Sequence, residues 1–532
     1  MRLIAQCLED LPPLAWMVRL PTGSNALELS HGRGVELFAT GFFEGAWDGP
    51  FPEAAFAEAT NVFGSGGVLS QAGAVFVGPS HTLEPLYMAR NDRLAAVSNS
   101  FAFLLEGSGL ALDPRDDSYG RVFSSIVHGL SQTPKEIDLK GGSLTILYHH
   151  NAVLRPDGSI AVSPKRQPPT FPDFESYRSY LRSTVQAAFD NARHPERKCA
   201  YRPIATLSSG YDSAASSAIA HACGCEESIS LATSSVGTPD SGRLAAEALG
   251  MRHTDFERMR SAPPDSALEA EFLAPGMQGE DLVYSVFGEK LTGRMLITGF
   301  QGGKIWSTTD TPHPDIRRAD ISGCSLGEFR LRMNFLHLPV PFIGIQRHSD
   351  VRAISNSAEM APYMTGSGYD RTVPRRLLEE AGVARSVFGR RKVGASILLF
   401  QGRNRLSAPT QQEVLEHWRS QGQSVPWLKA KIVWWDFGRN LYRVVRKLGK
   451  LLGIDRKGRL STALAGLCRG LFGIESPVFG ASHPHFTPLL IWALSRVQER
   501  YRVAGASPSS RRTVEIASSL MLMFLSALAT GV

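Results

Sequence analysis

Between Ile204 and Gly224 the chain reads IATLSSGYDSAASSAIAHACG. A short apolar strand runs into Ser208-Ser209-Gly210-Tyr211-Asp212-Ser213 and from there directly into an Ala-rich helix. The first N–H groups of a helix have no carbonyl within it to bond, and they sit where the dipole favours an anion. The hydroxyls of Ser208, Ser209 and Ser213 add donors, and Gly210 permits close approach to the backbone. Asp212 would repel a phosphate unless a Mg2+ is shared between them, so anion nest and carboxylate together point to a nucleotide–Mg2+ site. A purely structural turn is equally compatible with these six residues, because Ser/Gly turns before helices are common.

The surrounding pattern is what must position the turn. From about 200 to 305, strands and helices alternate. SISLATS (228–234) is a second strand, Asp240 or Ser241 caps the helix SGRLAAEALG ending at Gly250, and RMLITG (294–299) is a third strand. That alternation implies a parallel sheet with ligands at the carboxyl ends of its strands. Residues 1–165 read as β-rich, with GAVFVG (73–78), LAAVSN (94–99) and SLTILYHH (143–150) separated by turn residues. Prolines 164, 168, 169 and 172 make PKRQPPTFP a linker without a regular element. FESYRSYLRSTVQAAFDNAR (174–193) has helical spacing and opens a second domain, and residues beyond about 320 read as mainly helical. Three units are expected: 1–165, 170–400 and 401–532.

With 532 residues, 43% of them hydrophobic and 20% charged, the chain is globular and multidomain rather than disordered or collagen-like. Its net charge of +7 is mild for this length, compatible with an anionic substrate and no indication of nucleic acid. Six cysteines at 7, 199, 223, 225, 324 and 468 make no disulfide framework, and Cys223-x-Cys225 lacks a second ligand pair for zinc. The start MRLIAQCLEDLPP places Glu9 and Asp10 where a signal peptide needs an apolar run. No stretch reaches the length of a membrane span, and Ile516–Val532 reads as a docked terminal helix. A cytoplasmic location is expected.

SSGYDS resembles the SGGxDS pyrophosphate loop of the asparagine synthetase-like family of ATP pyrophosphatases. The resemblance continues in family order over about 200–400. SVGTPDSGRLAAEALGMRHTDF (235–256) is similar to the family's next strand–helix segment, and MLITGFQGG (295–303) stands at its LSGxGxDE turn. LPVPFIG (338–344) resembles RVPFLD, and GYDRTVPRRLLEEAGVARSVFGRRKVGAS (368–396) resembles the stretch holding a late lysine. LEPLYMARNDRLAAVSNSFAFLL (83–105) is similar to the end of a class II glutaminase domain. That enzyme needs a cysteine at its mature N-terminus, but residue 2 is arginine and no NGEIYN-like segment is present, so glutamine hydrolysis is not expected. The layout resembles β-lactam synthetases and lasso-peptide cyclases. It implies an α+β and α/β chain: an antiparallel glutaminase-like sandwich, a doubly wound parallel-sheet synthetase domain and a helical C-terminal part.

The resemblance implies an ATP-dependent amide ligase. A carboxylate attacks the α-phosphate, pyrophosphate leaves, and an amine captures the acyl-adenylate with release of AMP. The expected cofactors are ATP and Mg2+, and the partners are a small-molecule or peptide carboxylate and an amine. Ser208, Ser209, Gly210, Ser213 and Gly299 would hold the nucleotide and Asp212 the metal. Lys392 would neutralise charge that grows in the transition state, with Lys304 as a helper. The family's aspartate and glutamate in the second turn are Gly303 and Lys304 here, which removes a metal ligand and adds a positive charge. Glu280 and Asp281 are conceivable replacements, although such residues more often begin a helix. His253 reads as a packed histidine, and His149, His150, His483 and His485 lack partner carboxylates at metal spacing. Two alternatives stay open: a catalytically degenerate scaffold that still binds nucleotide, and a pyrophosphatase-loop enzyme acting on tRNA. The run RVVRKLGKLLGIDRKGR (443–459), with seven basic residues and one acid, reads as a solvated helix face or a contact for an anionic surface, leader peptide or RNA.

Overall fold

A computed structural model describes residues 1–532 apart from 72, 134–135, 260–264, 310–312, 314, 367–369, 390–393, 395, 397–398, 402–403, 452–458, 473–481, 507–511 and 517–532. The architecture is mixed α and β, with a β-rich N-terminal region, a parallel sheet and helices.

The N-terminal strands form two sheets. One has eight strands in the spatial order 137–139, 142–147, 86–90, 94–98, 16–21, 26–31, 2–7 and 512–516; the other has six, ordered 160–164, 150–154, 73–77, 62–70, 41–47 and 36–38. Alternating apolar side chains explain their association: Leu3, Trp16, Val18 and Leu29 of the first sheet share one buried cluster with Phe42, Phe76, Ala152 and Leu154 of the second. Two expectations need correction. The first sheet is not wholly antiparallel, because Arg2–Cys7 runs parallel to Ala26–His31. SLTILYHH is two strands in different sheets, Gly142–Leu147 and His150–Leu154, broken where buried His149 takes a left-handed φ of 52°. The C-terminal region is mainly helical, and it adds one strand, Arg512–Ile516, antiparallel to Arg2–Cys7. The rest of the expected terminal helix lies outside the described residues.

The second sheet system has five parallel strands: β1 (Arg202–Thr206), β2 (Glu227–Leu231), β3 (Arg252–Phe256), β4 (Arg294–Thr298) and β5 (Leu336–Pro339), in the order β3-β2-β1-β4-β5. The central strands β1 and β4 are buried and mainly apolar inside, with Ile204, Ala205, Met295, Leu296 and Ile297, as buried parallel strands require, whereas the edge strand β3 (RHTDF) is polar and only partly buried. The chain leaves β1 towards β2 on one side and returns to β4 on the other, so the switch in strand order falls between β1 and β4. A crevice for a ligand is expected at the carboxyl ends there.

Buried packing is continuous across residues 165 and 400. A single apolar cluster includes Leu83 and Tyr87, Ile204 and Leu296, and Trp492 and Tyr501. The proline segment has no helix or strand between Lys165 and Asp173, yet it is pinned rather than loose. Arg347 donates to the Pro168 carbonyl at 3.1 Å and the Phe171 N–H to Asp350 at 3.1 Å. Helix Phe174–Ala192 then starts with a capping box between Asp173 and Ser176. The helices beyond residue 407 are Ala408–Ser420, Val425–Leu451, Arg459–Phe472 and Phe486–Ala506. The last docks on the body, with Tyr501 stacked on Phe103 at 4.6 Å and its hydroxyl donating to Glu328 at 2.7 Å. No disulfide involves any of the six cysteines. No helix among the described residues is long and apolar enough to cross a membrane.

Candidate active site

The turn after β1 and the turn after β4 meet at the switch point. Gly210 is the N-cap of helix Tyr211–Ala222, in extended conformation with φ of −80°, and its side chain position offers no capping bond. Nothing in the fold demands a glycine there. A Cβ would meet only Ser208 Oγ, at 3.4 Å. The open space over the backbone is what an approaching phosphate would need.

Gly299 is the opposite case. A Cβ on it would lie 2.3 Å from the Asp212 carbonyl carbon and 2.4 Å from the Ser213 nitrogen, so the second turn presses backbone to backbone on the first. Gln301 follows with a left-handed φ of 66° and starts the short helix Gly302–Ile305. A Cβ on Gly302 would lie 2.9 Å from Asp212 Oδ1, and one on Gly303 would lie 3.3 Å from Oδ2. The Asp212 carboxylate thus lies against Gly302 and Gly303, the second of which stands where the resemblance places an aspartate. Lys304 is half-buried in that short helix. Lys392 lies outside the described residues. The described residues on either side do reach the site: the Gly389 N–H donates to the Ser209 carbonyl at 2.8 Å, and the Ser235 N–H donates to the Gly394 carbonyl at 3.3 Å.

The serine hydroxyls are not all turned outward, contrary to expectation. Ser208 Oγ and Ser213 Oγ bond each other at 2.7 Å, Ser213 Oγ accepts the Ser208 N–H at 3.0 Å, and Ser208 Oγ accepts the Gly210 N–H at 3.3 Å. Either hydroxyl can be the donor within that pair. Ser209 donates to Asp240 at 2.6 Å. Asp240 is therefore a site residue that sequence reasoning assigned elsewhere. It does not cap the helix of the second unit, which begins at Arg243 after Gly242, where Ser241 Oγ accepts the Arg243 N–H at 3.1 Å. Burial pushes the Asp240 carboxyl above its ordinary range, against the bonds from Ser209 and the charge of Arg258. The signal that would have found it is an acid directly after the β2 turn, since neighbouring parallel strands bring their following turns together.

Tyr211 anchors the turn from below. It is buried against Phe388, its ring centroid 5.7 Å away, and Arg375 both bonds its hydroxyl and lies over its ring at 5.1 Å. Gly389 fits because a Cβ there would strike the Tyr211 ring at 2.3 Å.

The remaining candidates are structural. Asp281 is fully buried, accepting from the Gly323 N–H at 2.9 Å and from the Ser325 hydroxyl at 2.9 Å, and burial pushes it up to about 6. Glu280 beside it is pushed well above the carboxylate range by burial and by the Asp281 charge. Asp281 stands at the start of the 3-10 helix Leu282–Leu291, as such residues often do, but it is buried rather than solvated and its carboxylate is committed to the Gly323–Ser325 loop. His253 lies between Ser228 at 2.9 Å, Ser230 at 3.1 Å and Asp255 at 3.1 Å, a packed histidine that burial lowers. Burial lowers His149 to about 3, His483 to about 3 and His485 to about 4; His149 is packed in the interior, His483 lines a small cavity and His485 is half-buried.

A Mg2+ centre of the implied kind takes carboxylates from both turns. Asp212 supplies one and Gly303 none, and among the described residues no three His, Cys, Asp or Glu side chains converge to hold a metal. The residues fit only a cation held chiefly by nucleotide phosphates, with Asp212 as its protein carboxylate. Two cavities lined by described residues, of about 750 and 380 Å3, lie away from these turns: one near Arg90 and Asp157 of the N-terminal sheet system, one beside Trp434 and His483. No protein-family model matches the chain, and no curated protein matches it.

Proposed function

We propose that this chain is an AMP-forming, ATP-dependent carbon–nitrogen ligase of asparagine synthetase-like type, with a two-sheet, glutaminase-like sandwich in front that no longer hydrolyses glutamine and a doubly wound synthetase domain behind. The observation that carries it is the meeting of the Ser208–Ser213 turn with the Gly299–Lys304 turn at the switch point of a five-stranded parallel sheet. In this reading Gly210 leaves room for the phosphates, and the first turn of helix Tyr211–Ala222 faces them. The Ser208–Ser213 pair gives one hydroxyl proton to an oxyanion. Asp212 is the one carboxylate offered to a cation travelling with the nucleotide. Lys304 supplies positive charge where the family has a glutamate, and Lys392 is assigned a role in stabilising departing pyrophosphate.

A nucleotide-binding scaffold without turnover is the second reading, favoured by Gly303, which provides no second metal carboxylate. Pyrophosphate exchange into ATP, followed with the full-length protein over a panel of carboxylic acids, separates the two. The ligase reading predicts exchange with at least one acid, reduced about 100-fold or more in Asp212→Ala. An ATP-dependent rise in melting temperature without exchange for any acid supports the scaffold instead.

A further inference from the structure

The strongest unexplained surface lies on helix Val425–Leu451. Among the described residues, ten of the fourteen exposed large apolar side chains belong to this helix and to Arg459–Phe472. Trp434, Phe437, Leu441, Val444, Leu448 and Leu451 follow one another at alternating steps of three and four, which places them in one seam along the helix. Leu451 is 84% exposed and Leu448 52%. The helix packs inward by a different line, Leu428, Trp435 and Tyr442, spaced by seven. At the start of the seam Trp434 and Phe437 lie against Phe472 of the next helix, and from Leu441 to Leu451 the seam is left over after the helix has met its own core.

The same 27 residues carry seven basic side chains and one acid, a net +6 against +7 for the entire chain. The single acid, Asp436, is paired with Arg439 at 2.8 Å. None of the seven basic residues interrupts the seam, and Lys429, Arg443 and Lys447 stand exposed beside it.

We propose that this face docks on an anionic lipid bilayer. The seam, about 26 Å long from Trp434 to Leu451, suits a planar surface. Its leucines and valines have no use in binding RNA. A second copy would bring a +6 helix against a +6 helix. An amphipathic helix with Trp, Phe and Leu on one side and Lys and Arg beside them lies in the membrane interface, its cations drawn to acidic headgroups.

Flotation of the full-length protein with vesicles tests this, using phosphatidylcholine alone and phosphatidylcholine with about 30% phosphatidylglycerol. Binding is expected on the acidic vesicles, weaker by about tenfold or more on neutral ones and at high salt. Leu441→Glu with Leu448→Glu should lower it about tenfold or more, without lowering the melting temperature, because both side chains are already solvated. Arg443→Glu with Lys447→Glu should lower it on acidic vesicles only. No flotation, equal binding to both vesicle types, or binding unchanged in the double leucine variant would overturn the proposal. So would a concentration-dependent dimer abolished by that variant, or salt-sensitive retention on RNA, in the absence of vesicle binding.

Discussion

Ser209 gives its hydroxyl proton to Asp240 across 2.6 Å, and its N–H donates to the Asp240 carbonyl at 3.2 Å, so the turn after β1 is tied to the turn after β2. Residues far apart in the chain thereby share one rigid rim. The shape of the candidate phosphate loop depends on a side chain outside the motif.

Removing that acceptor leaves a mostly buried hydroxyl without its partner. Asp240→Ala is expected to destabilise the fold by about 1–3 kcal/mol and to weaken ATP binding. Ser209→Ala leaves the buried Asp240 carboxylate without its hydroxyl donor and should cost a similar amount. Thermal melts of the two variants with and without ATP check this; equal melting temperatures for wild type and Asp240→Ala would refute it.

Gly303 faces Asp212, with a Cβ position 3.3 Å from Oδ2. Gly303→Asp should place two carboxylates side by side. In a chelator their repulsion lowers the melting temperature, and millimolar Mg2+ restores it, whereas the wild-type protein responds to Mg2+ much less. Isothermal titration with Mg2+ alone should detect the created site. Gly299→Ala is the contrasting change: its methyl would meet backbone at 2.3 Å, and an overpacking loss of about 1–3 kcal/mol is expected.

Arg330 joins the N-terminal strands to helix Gly327–Met333. It makes a two-point contact with Glu44 at 2.8 and 3.0 Å and an ion pair with Glu84 at 2.8 Å, all three side chains being buried. Burial alone would raise the Glu84 carboxyl, but Arg330, His337 and His81 outweigh it and hold it at about 2. Arg330→Met strands two buried carboxylates and should cost about 3–5 kcal/mol. Urea unfolding at neutral pH measures this, and the loss should shrink as pH falls and the carboxylates take up protons.

Glu280 and Asp281 supply a stability dependence of opposite sign. Both carboxyls are raised in the folded chain, Asp281 to about 6 and Glu280 further, through burial above all. The folded state therefore retains protons that the unfolded chain has released. Their contribution is complete below about pH 4 and is lost as pH rises through about 6 and beyond. Glu280→Gln mimics the neutral acid. Its stability, measured by urea midpoint, should match wild type near pH 5 and exceed it near pH 8. An identical pH dependence in the two proteins would exclude a protonated Glu280.

Much of the candidate site was legible because its signals are local. A short apolar strand, a Ser/Gly turn and an Ala-rich helix lie within 21 consecutive residues, and the structure places β1 and helix Tyr211–Ala222 there. Asp240 was misassigned for an equally local reason. Asp, Ser and Gly before a helix have the composition of a cap, and nothing nearby shows that the carboxylate turns towards Ser209 instead. The run SLTILYHH holds no glycine or proline to mark a break. The break at His149 comes from a left-handed residue held by its buried surroundings.

Short-range spacing was enough to place three of the five parallel strands, the proline segment, the six unlinked cysteines and the helical character of the basic run as far as Leu451, since each depends on residues a few positions apart. It could not order the strands β3-β2-β1-β4-β5, attach Arg512–Ile516 to Arg2–Cys7, or set Gly299 on the backbone of Asp212. Those relationships join residues from 23 positions apart, as in Ala205 and Ser228, to more than 500. They arise from packing and hydrogen bonds formed only when the whole chain has closed. The basic run was visible as charge and periodicity, but that its apolar side remains exposed was decided by which face the rest of the protein took.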